Sequence, residues 1–381
     1  MIEKKKILAI TYYGRSGFVF FQSLFDDHPD CFTIPGTYIS GFGEWFGKEK
    51  KDSKYISEKF CDEFPFLFDP HKKSKAFIPL HSCGSSPGID LNFIKMGENK
   101  NESIYINENS FKTYLSLELK DLKEVNCLDF FFAINKAYAL CLNKKWDKIK
   151  YIIFQLHSLV ARRAYFLKEA DVKIIQMIRE PTQSCLSHLE HSINRVNRGS
   201  TNCKLKELLT TLNGYDINRE LSNYFSSDFF KNKTRAFKLE NLHLNSFFEM
   251  KKVCEWLKIS WHDSLLKSTF DGKQFHNLRG ATQVSGFNKV INAKKHENFV
   301  NELDRARLQL LFKQLYINWQ YKIVNLKPNI MQWFKKFKLE EDDNFIDKIK
   351  NRIFMIKIFL KNIPFLRKFF FKKERIIAKL L

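Results

Sequence analysis

The chain has 381 residues, a hydrophobic fraction of 44% and a net charge of +22 at neutral pH. A chain of this length buries a large core and is expected to form one α/β domain carrying insertions. No uncharged apolar run reaches the roughly 18 residues of a membrane span. The eight scattered cysteines form no CxxC or Cys/His cluster, so no structural metal is expected. Scattered thiols suit a reducing cytoplasm, and the short first apolar run does not fit a signal peptide. Phe accounts for 39 residues, an excess read as coding bias towards Lys, Asn, Ile and Phe rather than as function.

The first predicted strand is Ile7-Leu8-Ala9-Ile10, apolar with a β-branched residue at each end. A basic turn follows, Gly14-Arg15-Ser16-Gly17, whose two glycines tolerate φ > 0 and let backbone N–H groups converge. A helix is predicted from near Gly17, through Phe18 and Val19, to just before Pro29, because a residue ahead of proline leaves the α region. A helix N-terminus offers unpaired N–H donors and partial positive charge to an anion, and Arg15 adds a full charge. This is phosphate-type chemistry, yet the Walker A pattern is absent. An ordinary βα turn capped by Ser16 would carry the same letters.

Residues 36–150 read as a long, mostly helical insertion. It opens on a flexible aromatic stretch, Gly36 to Phe46, and holds a loop at Ser82-Cys83-Gly84-Ser85-Ser86-Pro87-Gly88. Core strands resume at Tyr151-Ile152-Ile153-Phe154-Gln155-Leu156-His157 and at Val172 to Ile178. The latter ends in Arg179-Glu180-Pro181, with a helix whose first turn takes Pro181 without losing a hydrogen bond. Ser187 lies eight residues beyond Arg179. A late strand at Arg235-Ala236-Phe237-Lys238 leads into Leu239-Glu240-Asn241-Leu242. Met250 to Leu257 is predicted helical, as is 300–321, with Leu303, Leu308, Leu311, Leu315 and Trp319 on its apolar face.

Taken in order, these segments resemble the sulfotransferases that use 3′-phosphoadenosine-5′-phosphosulfate. The Arg15-Ser16-Gly17 turn is similar to the family's 5′-phosphosulfate loop, and His28-Pro29-Asp30 to the end of its following helix. Arg179 and Ser187 resemble its 3′-phosphate site, where the planar guanidinium offers a fork of donors to phosphate oxygens. Arg279-Gly280 resembles the loop by which some members close over that phosphate. The resemblance covers 1–35 and 151–290. It implies a P-loop NTPase-like sulfotransferase fold, with a parallel central sheet flanked by helices. The donor-binding residues it implies are Gly14, Arg15, Ser16, Gly17, Phe18, Val19, Arg179, Ser187, Arg279 and Gly280. The family usually has small hydroxyl residues where Phe18 and Val19 stand, and a lysine where Gln155 stands.

The activity implied is transfer of a sulfuryl group from the donor to a hydroxyl or amine, with no metal. Arg15 and the loop N–H groups would stabilise charge on the leaving nucleotide, and a general base would take the acceptor proton. His157, 22 residues before Arg179, matches the base of the cytosolic members. Glu44, beside Trp45 and Phe46, resembles the glutamate of carbohydrate-modifying members, and the aromatic insertion suggests a sugar acceptor, such as a glycan or glycolipid, or an aromatic one. Two other classes stay open: another phosphate-handling transferase, which magnesium dependence would reveal, and a non-catalytic binding relative, which the Phe18-Val19 departure allows.

The domain is expected to span 1–325, with a basic amphipathic tail over 326–381. From 344 onward, apolar groups alternate with Lys and Arg, and Pro364 would divide the segment into two helices. That pattern suits a peripheral element at an anionic membrane surface, at the inner face of a membrane for a cytoplasmic protein. Helices packed on the core or on a second subunit would give the same pattern. No nucleic-acid partner is expected, since the basic residues follow an amphipathic rhythm without a recognition motif.

Overall fold

The computed structural model describes residues 2–12, 15–35, 39–72, 95–156, 164–196, 232–277, 284–289, 300–323, 328–333 and 379–381, with single positions between 335 and 356. The predicted core strands form where expected: β1 (Lys6–Tyr12), then, after the short β2 (Cys31–Thr33), β3 (Tyr151–Gln155), β4 (Val172–Ile178) and β5 (Thr234–Lys238). Two antiparallel pairs of two-residue strands, β6 (Thr269–Phe270) with β7 (Lys273–Gln274) and β8 (His276–Asn277) with β9 (Val284–Ser285), stand apart from the central sheet, and a last strand, β10 (Lys379–Leu380), closes its edge. The six run parallel in the order β10-β5-β4-β1-β3-β2. The fold class is therefore α/β, a parallel central sheet flanked by helices.

Both faces of a parallel sheet are covered, so its strands are apolar throughout rather than alternating. In β1, Ile7 and Ala9 face one core, while Leu8 and Ile10 face the other. The first core is closed by the insertion helices α2 (Ile39–Lys48), α3 (Ser53–Glu63), α4 (Glu108–Leu119) and α5 (Cys127–Cys141). The second is closed by α1 (Phe18–Ser23) and by α8 (Ser246–Leu257), which follows the short α7 (Leu239–Leu244). Between β4 and β5, the chain enters α6 (Pro181–Val196).

Several expectations need correction. Helix α1 ends at Ser23, well short of Pro29, because the chain tightens into i→i−3 bonds at Leu24 and Phe25. Beyond it, Asp26 turns away to accept hydrogen bonds from Gly272 N at 2.9 Å and Thr269 Oγ1 at 3.1 Å. The stretch expected to be flexible is helical from Ile39. Phe42 and Phe46 lie one turn apart, 0% and 2% exposed, and pack on Phe130, so burial of aromatic area overrides the low propensity of Gly41, Gly43 and Gly47. These phenylalanines are core, not a platform for a sugar ring. The predicted 300–321 helix is two, α9 (Glu302–Leu311) and α10 (Lys313–Asn318), broken where Phe312 leaves helical geometry at ψ 10°. Leu308, Leu315 and Trp319 are buried as predicted, and Leu303 is partly exposed.

The deepest part of α9 is polar. Asp304 and Arg307 are both fully buried and ion-paired. Arg307 Nη1 also donates to Lys335 O at 2.6 Å, and Lys338 N donates to Asp304 Oδ2 at 3.0 Å. The pair thus pins the segment after α11 (Ile330–Trp333) to the domain. The C-terminal residues return as well. Leu381 N donates to Ala236 O at 3.0 Å, and β10 covers the edge of β5 that an isolated tail would have left open.

Candidate functional site

Parallel strands bring all their C-terminal ends to one edge of the sheet. In such sheets ligands bind at that edge, where consecutive connections depart in opposite directions. Here β1 lies between β3 and β4. The chain leaving β1 runs towards β2 on one side, and the chain leaving β4 runs towards β5 on the other. The crevice between β1 and β4 is the switch point, and the sequence places Arg15 and Arg179 on its two sides.

The loop after β1 is held in an uncommon backbone conformation. Arg15 has φ 44° and Gly17 φ 72°, both left-handed. Such turns aim successive N–H groups into a concavity that suits an anion. Gly17 is required for two reasons: its φ, and its approach to the start of α7, where a Cβ would stand 2.5 Å from Leu239 Cδ1. Ser16 is fully buried, and its hydroxyl donates to Met177 O at 2.8 Å. That bond fastens the loop to β4 two residues before Arg179. Gly17 is the N-cap of α1 and no side chain caps it, so Ser16 is not the helix cap of an ordinary βα turn. Phe18 and Val19 pack against the two cores rather than offering side-chain donors. Because α1 has only six residues, a ligand here would depend on loop N–H groups and Arg15 more than on a helix dipole.

Arg179, at the end of β4, is 9% exposed. Burial pulls the guanidinium below its usual value, while Glu240 and Glu180 push it back. The carboxylates belong to a network that the sequence did not reveal. Glu240 Oε1 accepts from Glu180 N at 2.7 Å, and Glu240 Oε2 accepts from Tyr321 Oη at 2.9 Å. Glu180 accepts from Tyr316 Oη and from Gln183 N, and Tyr316 Oη shares a 2.8 Å bond with Thr182. Burial pushes Glu180 up to about 7, with the Glu240 charge adding to it. His243 is pulled down to about 4 by burial and by the Arg179 charge. Its Nδ1 accepts from Asn288 N at 2.9 Å, so the neutral ring carries its proton on Nε2. The ring stacks on Phe20, with centroids 4.9 Å apart, and ties this cluster to α1.

Glu180 and Glu240 stand directly at the ends of β4 and β5, so their positions followed from the strand predictions once the strand order was known. Tyr316, Tyr321 and His243 carried no such signal.

The other predicted residues lie as follows. Ser187 is on α6, partly exposed and two turns beyond Arg179. Glu44 lies within α2, which packs on β3, and pairs with Lys48 at 3.6 Å. Gly14, His157, Arg279 and Gly280 fall outside the described residues. Gln155, in the position of the family lysine, is buried and donates from Nε2 to Gln22 Oε1. Gln22 in turn donates to Thr33 Oγ1 at 2.6 Å and Ile34 O at 3.0 Å. The two amides thus join β3, α1 and β2. His28 is a fastening group: Nδ1 accepts from Asp30 N at 3.1 Å, which leaves Nε2 to donate to Ser260 O at 2.8 Å.

No family model matches the chain, and no curated protein matches it in sequence. Among solved structures it is similar to the sulfotransferase domain of the Synechococcus PCC 7002 olefin synthase, at 12% identity and a TM-score of 0.39, over 70% of this chain and 78% of that one. It is also similar to the sulfotransferase domain of the curacin biosynthetic pathway, at 12% identity and a TM-score of 0.45, over 84% of this chain and all of that one. At these values the likenesses decide nothing about chemistry, which has to come from the residues themselves.

Proposed function

We propose that the chain is a sulfotransferase that uses 3′-phosphoadenosine-5′-phosphosulfate. The observation that carries this reading is the pairing of two basic positions across the β1/β4 crevice, joined by the Ser16–Met177 bond. A donor with phosphate at two separate positions suits that arrangement: the 5′-phosphosulfate in the left-handed loop, the 3′-phosphate towards Arg179 and Ser187, with Arg279-Gly280 closing over it.

In the reaction proposed, an acceptor oxygen attacks sulfur in line. The new O–S bond forms as the bond from sulfur to the bridging phosphate oxygen breaks. Adenosine 3′,5′-bisphosphate leaves with that electron pair. Arg15 and the loop N–H groups stabilise the charge gathering on the leaving phosphate. His157 or Glu44 takes the acceptor proton. No step calls for a metal. Acceptors to screen first are carbohydrate and glycolipid hydroxyls, followed by amines.

The test is transfer of radiolabelled sulfur from the donor to an acceptor panel, with Arg15→Ala, His157→Ala and Glu44→Gln alongside. The reading predicts label on an acceptor hydroxyl or amine, and loss of about 100-fold or more when the true base is removed. A second reading, donor binding without catalysis, is favoured by the packed Phe18 and Val19 side chains and by neutral Gln155. Tight donor binding with no transfer to any acceptor would select it.

A further inference from the structure

We propose that an isoleucine face in the C-terminal segment docks on an anionic lipid bilayer. Ile346, Ile349, Ile353 and Ile356 are helical and 62%, 44%, 48% and 43% exposed. Their spacing of three, four and three residues puts them on one side of a helix, so the apolar stripe faces outward instead of into the core. Arg352 is likewise helical and exposed. Residues 344–381 hold eleven Lys and Arg against two Asp and Glu, a net of +9. An outward apolar stripe with a cationic surround is what an interfacial helix presents to headgroups and acyl chains.

The segment is also tethered. On its N-terminal side the Asp304–Arg307 pair holds Lys335 and Lys338, and on its C-terminal side β10 is part of the central sheet. Docking would therefore orient the whole domain rather than a loose tail. No described helix is long and apolar enough to cross a membrane.

Charge decides against the other occupants. A second copy meeting this face across a two-fold axis would set its own cationic residues, Arg352 among them, against their copies. Nucleic acid would supply the negative charge but leave the isoleucines against phosphate. An anionic bilayer satisfies both features. The proposal does not depend on the transfer chemistry.

The test uses the full chain in co-sedimentation with vesicles of phosphatidylcholine alone, and of phosphatidylcholine mixed with phosphatidylglycerol. Wild type should bind the mixed vesicles, and raised salt should weaken that binding. Because the sites are exposed, Ile346→Asp/Ile353→Asp should keep the wild-type melting temperature while binding falls by about tenfold or more. Arg352→Gln/Lys357→Gln/Lys361→Gln should also weaken binding, towards the level on phosphatidylcholine alone. Wild type that binds neither vesicle overturns the proposal, as does Ile→Asp protein that binds like wild type. A dimer by light scattering that the Ile→Asp variant dissociates, without vesicle binding, would assign the face to a second copy instead.

Discussion

Replacing Glu180 by Gln probes the buried network beside Arg179. Burial raises this carboxyl from an ordinary 4.5 to about 7. A folded-state value above the unfolded one means that the protonated carboxyl stabilises the fold. That contribution is fully present below about pH 4.5 and is lost as pH rises through about 7. At about 1.4 kcal/mol per pH unit, ionisation weakens the fold by about 3 kcal/mol at most. This is an upper value, because the residue keeps some contact with water. Gln is the neutral counterpart: its oxygen accepts from Gln183 N, and its amide donates to Tyr316 Oη. Urea unfolding at about pH 5 and about pH 8 should show Glu180→Gln gaining about 2 kcal/mol on wild type between the two. A difference that stays flat with pH would refute the reasoning, because it would mean that Glu180 titrates alike in the folded and unfolded chains.

Gly17→Ala should weaken both fold and site. An alanine at φ 72° costs about 1–2 kcal/mol, and its Cβ would push aside the Leu239 Cδ1 methyl. Calorimetry should show adenosine 3′,5′-bisphosphate binding reduced about tenfold or more. Tyr321→Phe removes the donor to Glu240 Oε2 and should lower stability by about 1–3 kcal/mol, read from urea midpoints. Arg307→Met leaves Asp304 charged and buried and should cost about 3–5 kcal/mol. Adding Asp304→Leu should recover part of that loss, since it removes the buried carboxylate but also the acceptor of Lys338 N, and a double-mutant cycle measures the coupling.

The parallel core was legible because buried strands of a parallel sheet are unbroken apolar runs. Val172 to Ile178 forms the strand that its letters predict. The loop after β1 was legible through Gly17, whose left-handed φ and close approach to Leu239 disfavour a side chain. What stayed hidden depends on distant pairing. Strand β2 is three residues long and takes its form from β3. Strand β10 exists only because the edge of β5 accepts it. The 36–46 stretch misled because glycine and aromatic letters suggest a loop, whereas Phe42 and Phe46 gain more from burial than the glycines lose. At the site, Arg179 announced itself by position, but its setting did not. Tyr316 and Tyr321 are more than a hundred residues away in sequence and reach the carboxylates beside it only through the tertiary fold.

The most direct measurement is calorimetric titration of the full chain with adenosine 3′,5′-bisphosphate, run beside Arg179→Ala. The account predicts one site of about micromolar affinity in the wild type and none in the variant, both proteins melting cooperatively. A well-folded wild type that binds no bisphosphate, or an Arg179→Ala protein that binds it equally well, would contradict a donor site at the β1/β4 crevice.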